Sequence, residues 1–435
     1  MLGDRAKNVV RDLAERLRDQ HRVALAVAAA PTQTAFPLAV RWLAPSLAQG
    51  DAGIALTCAY LDAWWPDEGW DQAGHSYLST AAVAAENSPQ LSPAMFGGLT
   101  GLALAAWSLS RGATRYRNLM ATLENALLPN VTTQAEGWDP PIMDGMSFGQ
   151  FDVISGLAGI GAYLLLRREQ PGAGAALESV LRALVALASD SGSRPRWWTP
   201  AHLLGDEEMA ALYPNGNLNC GLAHGIPGPL ALMALALADG IGVPGIEEAV
   251  DRLAGWIVGH RADDGWGVNW PYAISLTQEG LPDRGAPTDG PSRAAWCYGA
   301  PGVARALWLA GVARNRPEWG NLAIEAMEAV YQRPIAARQI DSPTFCHGVA
   351  GLLQITLRFA NNTGLPVFTN AACDLTEQLL SAYEPDSLLG YRNWEPGGTR
   401  VDQPGLLDGA PGVLLALLAA ATDVEPSWDR AFLLS

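Results

Sequence analysis

The amino-acid sequence predicts an all-α fold, a seven-fold α/α toroid in which a ring of inner helices is surrounded by a ring of outer helices. Three observations predict it. A pair of glycines three residues apart recurs seven times, an apolar stretch follows each pair, and amphipathic stretches separate the repeats. Repeats of this size are typical of stacked supersecondary units.

The glycine pairs follow one another at intervals of 48 to 74 residues, which leaves room for two helices in each repeat. Glycine permits the tight turn and the close backbone approach that the start of a packed helix requires. We therefore predict that residues 1–435 form a single domain of seven repeats. The pairs are Gly50/Gly53, Gly98/Gly101, Gly156/Gly159, Gly225/Gly228, Gly299/Gly302, Gly348/Gly351 and Gly409/Gly412.

The two kinds of helix differ in their apolar patterning. The stretch LALMALALA (230–238), which follows a glycine pair, is apolar on all sides, as expected of a buried inner helix. The stretch LESVLRALVALAS (177–189), which precedes one, has a single apolar face and is predicted to be an outer helix. Parallel inner helices would gather their N-termini at one mouth of the toroid, where their dipoles favour anions.

Three spacer segments rich in turns and tryptophan interrupt the helical pattern, at 131–151, 191–219 and 261–292. We predict that they form long loops or a small β-containing insertion. Loops of this length in a compact fold usually carry function.

Composition narrows the classes of function. The formal net charge of -16 disfavours binding to nucleic acid, because phosphate backbones repel an acidic surface. No stretch reaches the ~18 apolar residues of a membrane span, and the charged N-terminus lacks the apolar centre of a signal peptide. The five widely spaced cysteines do not resemble a secreted disulfide framework. We therefore expect a cytoplasmic protein whose cysteines are thiols.

Candidate metal ligands lie at equivalent places in the repeats. His224 and His347 directly precede a first glycine, and Cys297 and Cys346 stand one position earlier than that. Two thiolates and one imidazole suit Zn²⁺, and three protein ligands leave one position open, as in catalytic zinc sites. We predict that one Zn²⁺ per chain is held by Cys297, Cys346 and His347. Such a thiolate-rich site favours activation of a thiol.

The remaining cysteines and Asp408 receive plainer interpretations. Cys58 and Cys373 lie in apolar helical patterns and are predicted to be small buried hydrophobes. Cys220 precedes His224 by four residues, but the intervening glycines indicate a turn, so we predict a packing role. Asp408 occupies the same repeat position as His224, and the sequence defines no role for it. The histidines outside the repeat position are expected to make surface or local contacts: His21, His75, His202 and His260.

Six segments carry a resemblance to the lanthipeptide cyclases of the LanC family. They are FDVISGLAGI (151–160), LAHGIPG (222–228), SRAAWCYGAPG (292–302), FCHGVAGLL (345–353), LLDGAPGVLLALL (406–418) and SWDRAFLLS (427–435). The combination of WCYGxPG with a downstream CHG is close to diagnostic. Resemblance before residue 98 is limited to the glycine repeat.

The resemblance implies a zinc-dependent cyclase. It adds a peptide cysteine to dehydroalanine or dehydrobutyrine of the same peptide and so closes a lanthionine or methyllanthionine ring. The resemblance implies that Cys297, Cys346 and His347 bind zinc, in agreement with the chemical interpretation. It also implies acid–base roles for Asp152 and His224, and it matches Arg293 and Tyr298 to two further active-site positions. The implied partners are a dehydrated precursor peptide with a leader, a dehydratase and an exporter complex at the membrane.

Other interpretations remain open at this stage. Asp152 also suits a helix N-cap, and Arg293 and Tyr298 also suit structural roles. A related zinc-thiolate enzyme would add another thiol, such as glutathione, to an electrophile, and a scaffold would bind the peptide without turnover. A prenyltransferase would need a basic pocket and an Asp ligand, and a terpene cyclase or carbohydrate-active enzyme would need acidic clusters and no zinc.

Overall fold

The chain folds almost entirely into helices, as a computed structural model shows for residues 2–88, 90–138, 145–189, 194–283 and 290–435. The α-helices are α1 (Leu2–Arg18), α2 (Gln20–Gln33), α3 (Asp51–Trp64), α4 (Trp70–Glu86), α5 (Leu99–Leu109), α6 (Arg117–Glu136), α7 (Leu157–Leu166), α8 (Pro171–Ala188), α9 (Glu207–Leu212), α10 (Pro227–Ala238), α11 (Ile246–Gly259), α12 (Ala300–Arg314), α13 (Pro317–Gln332), α14 (Ile335–Arg338), α15 (Val349–Thr363), α16 (Pro366–Ser381) and α17 (Ala410–Ala421). Short 3-10 helices span Phe148–Gln150, Ala201–Leu203 and Ser427–Phe432.

An inner helix begins at each of the seven glycine pairs. In six of these helices the first glycine of the pair is the N-cap residue. Helix α10 instead begins at Pro227, two residues after the first glycine of its pair. The α12 start shows why glycine is needed. Gly299 has a φ of 87°, and a Cβ on Gly302 would stand 2.2 Å from the carbonyl oxygen of Trp296. A side chain at either position would strain the turn or collide with the backbone.

The inner and outer helices bury different fractions of their surface. In α7 every residue from Leu157 to Leu165 is buried, as expected for a helix that is apolar all round. In α11 the buried residues recur every three or four positions and form one face: Ile246, Ala249, Val250, Leu253, Ala254 and Ile257. Burial of such a face supplies most of the stability of an amphipathic helix.

The described residues divide into two compact units. The first comprises Met1–Ser92, Phe96–Glu124 and Gln339–Trp428. Within it the inner helices pack in the order α5, α3, α17, α15, while α4 packs on α3, α16 packs on α15, and α1 packs on α17. This unit also contains an antiparallel pair of strands that the sequence did not predict, β3 (Arg392–Trp394) and β4 (Arg400–Asp402).

The second unit comprises Pro93–Met95, Asn125–Arg338 and Asp429–Ser435. Its inner helices pack in the order α7, α10, α12, with α8, α11 and α13 on their outer sides. The C-terminal residues are held against α12, because Arg305 Nε donates to the Leu434 carbonyl at 2.8 Å. The assignment of the whole chain to a single domain stays a prediction.

Two of the three spacer segments contribute a strand each to the second unit. Strand β1 (Asn217–Asn219) pairs antiparallel with β2 (Ala273–Ser275), so that Asn219 lies opposite Ala273. Parts of the predicted insertion lie outside the described residues, namely 139–144, 191–193 and 284–289. Among the described helices, none combines the length and the apolar character that crossing a membrane requires.

The two cysteines predicted to be buried hydrophobes have different surroundings. Cys58 on α3 is 1% exposed, and burial raises the pKa of its thiol to about 12, so that prediction is confirmed. The prediction is wrong for Cys373, which is exposed. The buried face of α16 contains Ala372 and Leu375, and Cys373 follows Ala372 by the ~100° turn that carries it to the solvent side.

Candidate functional site

A carboxylate–imidazole pair lies at the turns that precede α7 and α10. Asp152 is fully buried, and its Oδ2 lies 2.6 Å from Nδ1 of His224. Its other oxygen, Oδ1, accepts hydrogen bonds from the backbone N–H groups of Ser155 at 2.7 Å and Gly156 at 2.8 Å. Asp152 therefore holds the turn that precedes α7 and orients His224 at the same time. The backbone supports the pair, because Val153 N donates to the Ala223 carbonyl.

His224 keeps one side of its ring accessible. Its side chain is 30% exposed, and it packs with the Phe148 ring in an edge-to-face arrangement, with 5.0 Å between the ring centroids. Because Nδ1 faces the Asp152 carboxylate, Nε2 is the ring atom left to meet a substrate. A carboxylate in this position fixes the orientation of the imidazole ring, as the aspartate of a catalytic triad does.

Tyr298 and Arg293 lie on the same side of the second unit as His224. The Tyr298 ring is 6.3 Å from that of His224, and its hydroxyl accepts from Nδ2 of Asn219 at 3.1 Å. Arg293 is one ring further away: its Nε donates to the Tyr272 hydroxyl at 2.6 Å, and the Tyr272 and Tyr298 rings are 4.8 Å apart. The structure thus brings Tyr298 close to the pair and links Arg293 to it through Tyr272.

The sequence analysis did not identify Asn219 and Tyr272 as candidate site residues. Asn219 ends β1 and Tyr272 directly precedes β2, so the small sheet carries both residues towards Tyr298. A further bond ties this sheet to the cysteine beside it, because Cys220 N donates to the Tyr272 carbonyl at 2.9 Å. The turn-rich and Trp-rich character of these spacers was the available signal, but it does not reveal which strands pair.

The two cysteines of the second unit differ in their environment. Cys220 is 3% exposed, and its Sγ donates to the Leu218 carbonyl at 3.5 Å, as a packed thiol would. Cys297 is 6% exposed and lies on the turn before α12, next to Tyr298. Its carbonyl accepts from Ala223 N at 3.2 Å, which links this turn to the one that carries His224.

A second cluster lies within the first unit, at the turns before α15 and α17. The donor atoms of Cys346, His347 and Asp408 all lie within 4.8 Å of one another. Backbone pairing brings them together, because Phe345 N and Cys346 N both donate to the Leu407 carbonyl, at 3.1 and 2.9 Å. The sequence motifs are local: CHG precedes one helix and DG precedes another. Neither motif predicted that the two turns pair with each other.

This cluster fits a bound cation. Thiolate, imidazole and carboxylate are all zinc donors. Oδ1 of Asp408 is buried and has no hydrogen-bond partner among the described residues, an arrangement that is costly for a carboxylate unless a positive charge lies nearby. Burial raises the pKa of the Asp408 carboxyl above its usual range, and the neighbouring His347 opposes that shift.

A profile of the family described as lanthionine synthetase C-like protein matches residues 41–433 of this sequence. The chain belongs to the lanthionine synthetase C-like family. Its similarity to the nisin biosynthesis protein NisC of Lactococcus lactis subsp. lactis is 24% identity over 397 residues, which covers 89% of this chain and 88% of that protein. These findings confirm the resemblance that the six sequence segments indicated.

The structure of a nisin cyclase matches this member of the lanthionine synthetase C-like family over 98% of both chains, with a TM-score of 0.79 and 22% identity. That likeness confirms the predicted fold class, the all-α fold of the α/α toroid type. The assignments of Asp152, His224, Arg293, Tyr298 and the zinc ligands to individual roles stay predictions.

Proposed function

We propose that this protein is a zinc-dependent lanthionine cyclase. The observation that carries the proposal is the hydrogen bond between buried Asp152 and His224 in a chain that the family profile matches from residue 41 to 433. Addition of a thiol to a dehydrated residue needs a group that moves protons near neutral pH, and an oriented histidine is suited to that task.

The proposed metal ligands are Cys297, Cys346 and His347, with one Zn²⁺ per chain. Support comes from the equivalent repeat positions of the cysteines and from the donor cluster around Cys346 and His347 in the first unit. When bound there, zinc would lower the pKa of a substrate thiol and hold its sulfur as a nucleophile.

The protein's own residues account for the remaining steps. The substrate sulfur forms a bond to the β-carbon of dehydroalanine or dehydrobutyrine, and the electron pair of the C=C bond moves towards the peptide carbonyl. His224, oriented by Asp152, delivers a proton to the α-carbon through Nε2. Tyr298 and Arg293 stabilise the negative charge that develops on the carbonyl oxygen. One proton leaves the thiol and one reaches the α-carbon, so ring closure leaves the peptide mass unchanged.

The proposed substrate is a precursor peptide with a leader, already dehydrated at Ser or Thr. The relative NisC is named a nisin biosynthesis protein, which supports a substrate of this class. A dehydratase must act first, because the unsaturated residue is the acceptor of the thiol. We further propose that the reaction takes place in the cytoplasm and that an exporter complex at the membrane receives the product.

A thiol-alkylation assay tests the function. Purified full-length protein, with its metal content measured, is incubated with a synthetic peptide that contains one dehydroalanine and one cysteine. We expect the cysteine to become inaccessible to the alkylating reagent without a change in mass, faster than in the enzyme-free control. A zinc-loaded protein that leaves the thiol reactive at the control rate would contradict the proposal.

The same assay separates the two alternatives. A related enzyme that adds another thiol would attach glutathione to the dehydrated peptide when both are present, with the mass increase of one glutathione. A non-catalytic scaffold would bind the peptide, leave its thiol reactive and show no adduct. We expect ring closure to prevail, because the profile that matches residues 41–433 is that of the lanthionine synthetase C-like family.

A further inference from the structure

A cavity of about 460 Å³ lies within the first unit, where α2 and α4 meet the start of α3. Pockets that bind small ligands typically enclose ~300–1,000 Å³, so this cavity has room for a long side chain of a partner. The described residues that line it include neither the Asp152–His224 pair nor the cluster of Cys346, His347 and Asp408. The cavity is therefore a site that the proposed cyclisation chemistry does not use.

The cavity has an apolar wall and an acidic floor. Val23 and Val27 of α2 line the wall, and the exposed Ala24 and Ala28 lie at its rim. Asp51, the first residue of α3, is only 9% exposed and forms part of the floor. Such a space fits an apolar stem with a charged end, because long cationic side chains lay their methylene groups along apolar surface.

No cation neutralises Asp51 among the residues that the structure describes. Its carboxylate accepts from the indole N–H of Trp42, with 3.1 Å between Nε1 and Oδ2, and it forms no ion pair with a described residue. Burial raises the pKa of the Asp51 carboxyl, and the bond from Trp42 opposes that shift. Because a buried carboxylate without a counter-charge is costly, a cation that enters the cavity would be bound favourably.

The polar groups of the floor favour an ammonium over a guanidinium. The Tyr77 hydroxyl donates to the Leu17 carbonyl at 2.6 Å, so its proton is already engaged. Oδ2 of Asp51 is occupied by Trp42, whereas arginine prefers to pair with both oxygens of a carboxylate. Lysine carries a compact charge on a flexible stem, and one carboxylate oxygen is enough to bind it.

Exposed apolar side chains continue the cavity onto the surface. Residues 23–40 contain no charged side chain, and Leu25 on α2 and Val83 on α4 are 46% and 58% exposed. Leu25 shares a helix face with Ala28, three residues later, and Val83 shares one with Thr80, three residues earlier. Ala28 and Thr80 both line the cavity. Exposed apolar surface that adjoins a pocket is typical of an interaction site.

We propose that this cavity binds a lysine side chain of a partner peptide, with the ammonium on Asp51 and the apolar neighbours of that lysine on Leu25 and Val83. The charges are complementary, because the buried acid lacks a cation among the described residues and the whole chain carries a net charge of -16. Binding there involves no covalent step and does not depend on the proposed zinc chemistry. The cavity would hold a peptide on the first unit through a single cationic anchor.

Calorimetric titration of the purified full-length protein with short peptides tests the site. The probe is acetyl-Leu-Lys-Leu-amide, and its neutral counterpart carries norleucine in place of lysine. We expect the lysine peptide to bind about tenfold or more tightly than the norleucine peptide, because a hydrogen bond between charged groups is stronger than a neutral contact. Asp51→Asn should abolish this preference, since its amide keeps an oxygen for Trp42 but carries no charge. The corresponding arginine peptide should bind more weakly than the lysine peptide.

Two further variants serve as controls, and thermal unfolding reports whether each variant is folded. Asp374→Asn removes an exposed acid from the same unit and should keep the preference for lysine. Ala24→Trp fills the cavity from its exposed rim and should prevent binding of the lysine peptide, which tests the site even if Asp51→Asn is unstable. No binding of the lysine peptide to the wild type, or equal affinity for the two peptides, would overturn the inference. So would an undiminished preference for lysine in Asp51→Asn, unchanged binding in Ala24→Trp, or an arginine peptide that binds as tightly. Ring closure in the thiol-alkylation assay tests the proposed function separately.

Discussion

Asp152 uses its two carboxylate oxygens for two different tasks. One accepts from two backbone N–H groups in the turn that precedes α7, and the other faces His224 at 2.6 Å. The helix N-cap that the sequence offered as an alternative is wrong for Asp152, because Gly156 is the N-cap residue of α7. The hydrogen bonds to the turn fix the carboxylate, and this gives the histidine a single orientation.

Replacement of His224 by Asn should separate catalysis from metal binding. We expect the variant to keep its zinc and to close rings about 10²–10⁴-fold more slowly, because an amide cannot transfer a proton near neutral pH. Metal analysis and thiol alkylation on the same preparation provide the check. Wild-type rates in the zinc-loaded variant would exclude His224 from proton transfer, and loss of zinc would make it a ligand.

Replacement of Asp152 by Asn should slow ring closure while changing the stability of the fold little. The amide oxygen can still accept from Ser155 N and Gly156 N, whereas the amide nitrogen cannot accept a proton donated by His224 Nδ1. We expect near-normal thermal unfolding and slower ring closure. A variant with unfolding at much lower temperature and a wild-type turnover number would show that Asp152 only stabilises the turn.

Three cysteines give a graded test of the ligand assignment. Cys346→Ala and Cys297→Ala should lose zinc and ring closure, while Cys220→Ala should retain both, because the Cys220 thiol donates to the Leu218 carbonyl. Elemental analysis after gel filtration reports the metal. Equal loss of zinc in Cys220→Ala and Cys297→Ala would show that the ligand set is wrong.

At the scale of helices, the second glycine of a pair controls how closely the inner helix approaches its preceding turn. A Cβ on Gly302 would stand 2.2 Å from the Trp296 carbonyl oxygen, whereas Gly255 on α11 has nothing within 4 Å. We expect Gly302→Ala to lower the free energy of unfolding by about 1–3 kcal/mol. Gly255→Ala should be neutral or stabilising by up to about 1 kcal/mol. Equal stability of the two variants in urea would refute this role for the repeat glycines.

The helices were predictable because their signals are local. Glycine pairs and apolar runs gave the starts of α3, α7 and α12, since a turn followed by a buried helix needs only neighbouring residues. The strand pairs β1–β2 and β3–β4 were not assigned, because three-residue strands have no periodicity to detect. The exposure of Cys373 was also missed, because an apolar helical pattern does not by itself fix which face is buried.

The residues of the candidate site were likewise predictable where their signal was local, and their contacts with distant residues were not. The equivalent repeat positions singled out His224, Cys297, Cys346 and His347, whereas the link from Arg293 to Tyr298 passes through Tyr272, on a spacer without a motif. Asp408 occupied a repeat position, but only the backbone pairing of Leu407 with Cys346 shows which donors it meets. Contacts between distant turns cannot be derived from motifs one at a time.

At the scale of the whole molecule, the chain carries a net charge of -16 and 44 acidic residues against 28 basic ones. An acidic surface attracts basic segments of a peptide, and this attraction weakens as salt screens it. The charge therefore suits a cationic peptide substrate better than a polyanion. The same balance disfavours binding to nucleic acid.

The central claim is that this chain closes thioether rings by adding a thiol across a dehydrated residue. The most direct test is the reaction in D₂O with a peptide that contains one dehydroalanine and one cysteine, followed by return to H₂O and mass spectrometry. We predict a product that resists thiol alkylation and retains one deuteron on carbon, formed far faster than without enzyme. A zinc-loaded protein that leaves the peptide alkylatable and free of carbon-bound deuterium would contradict the account.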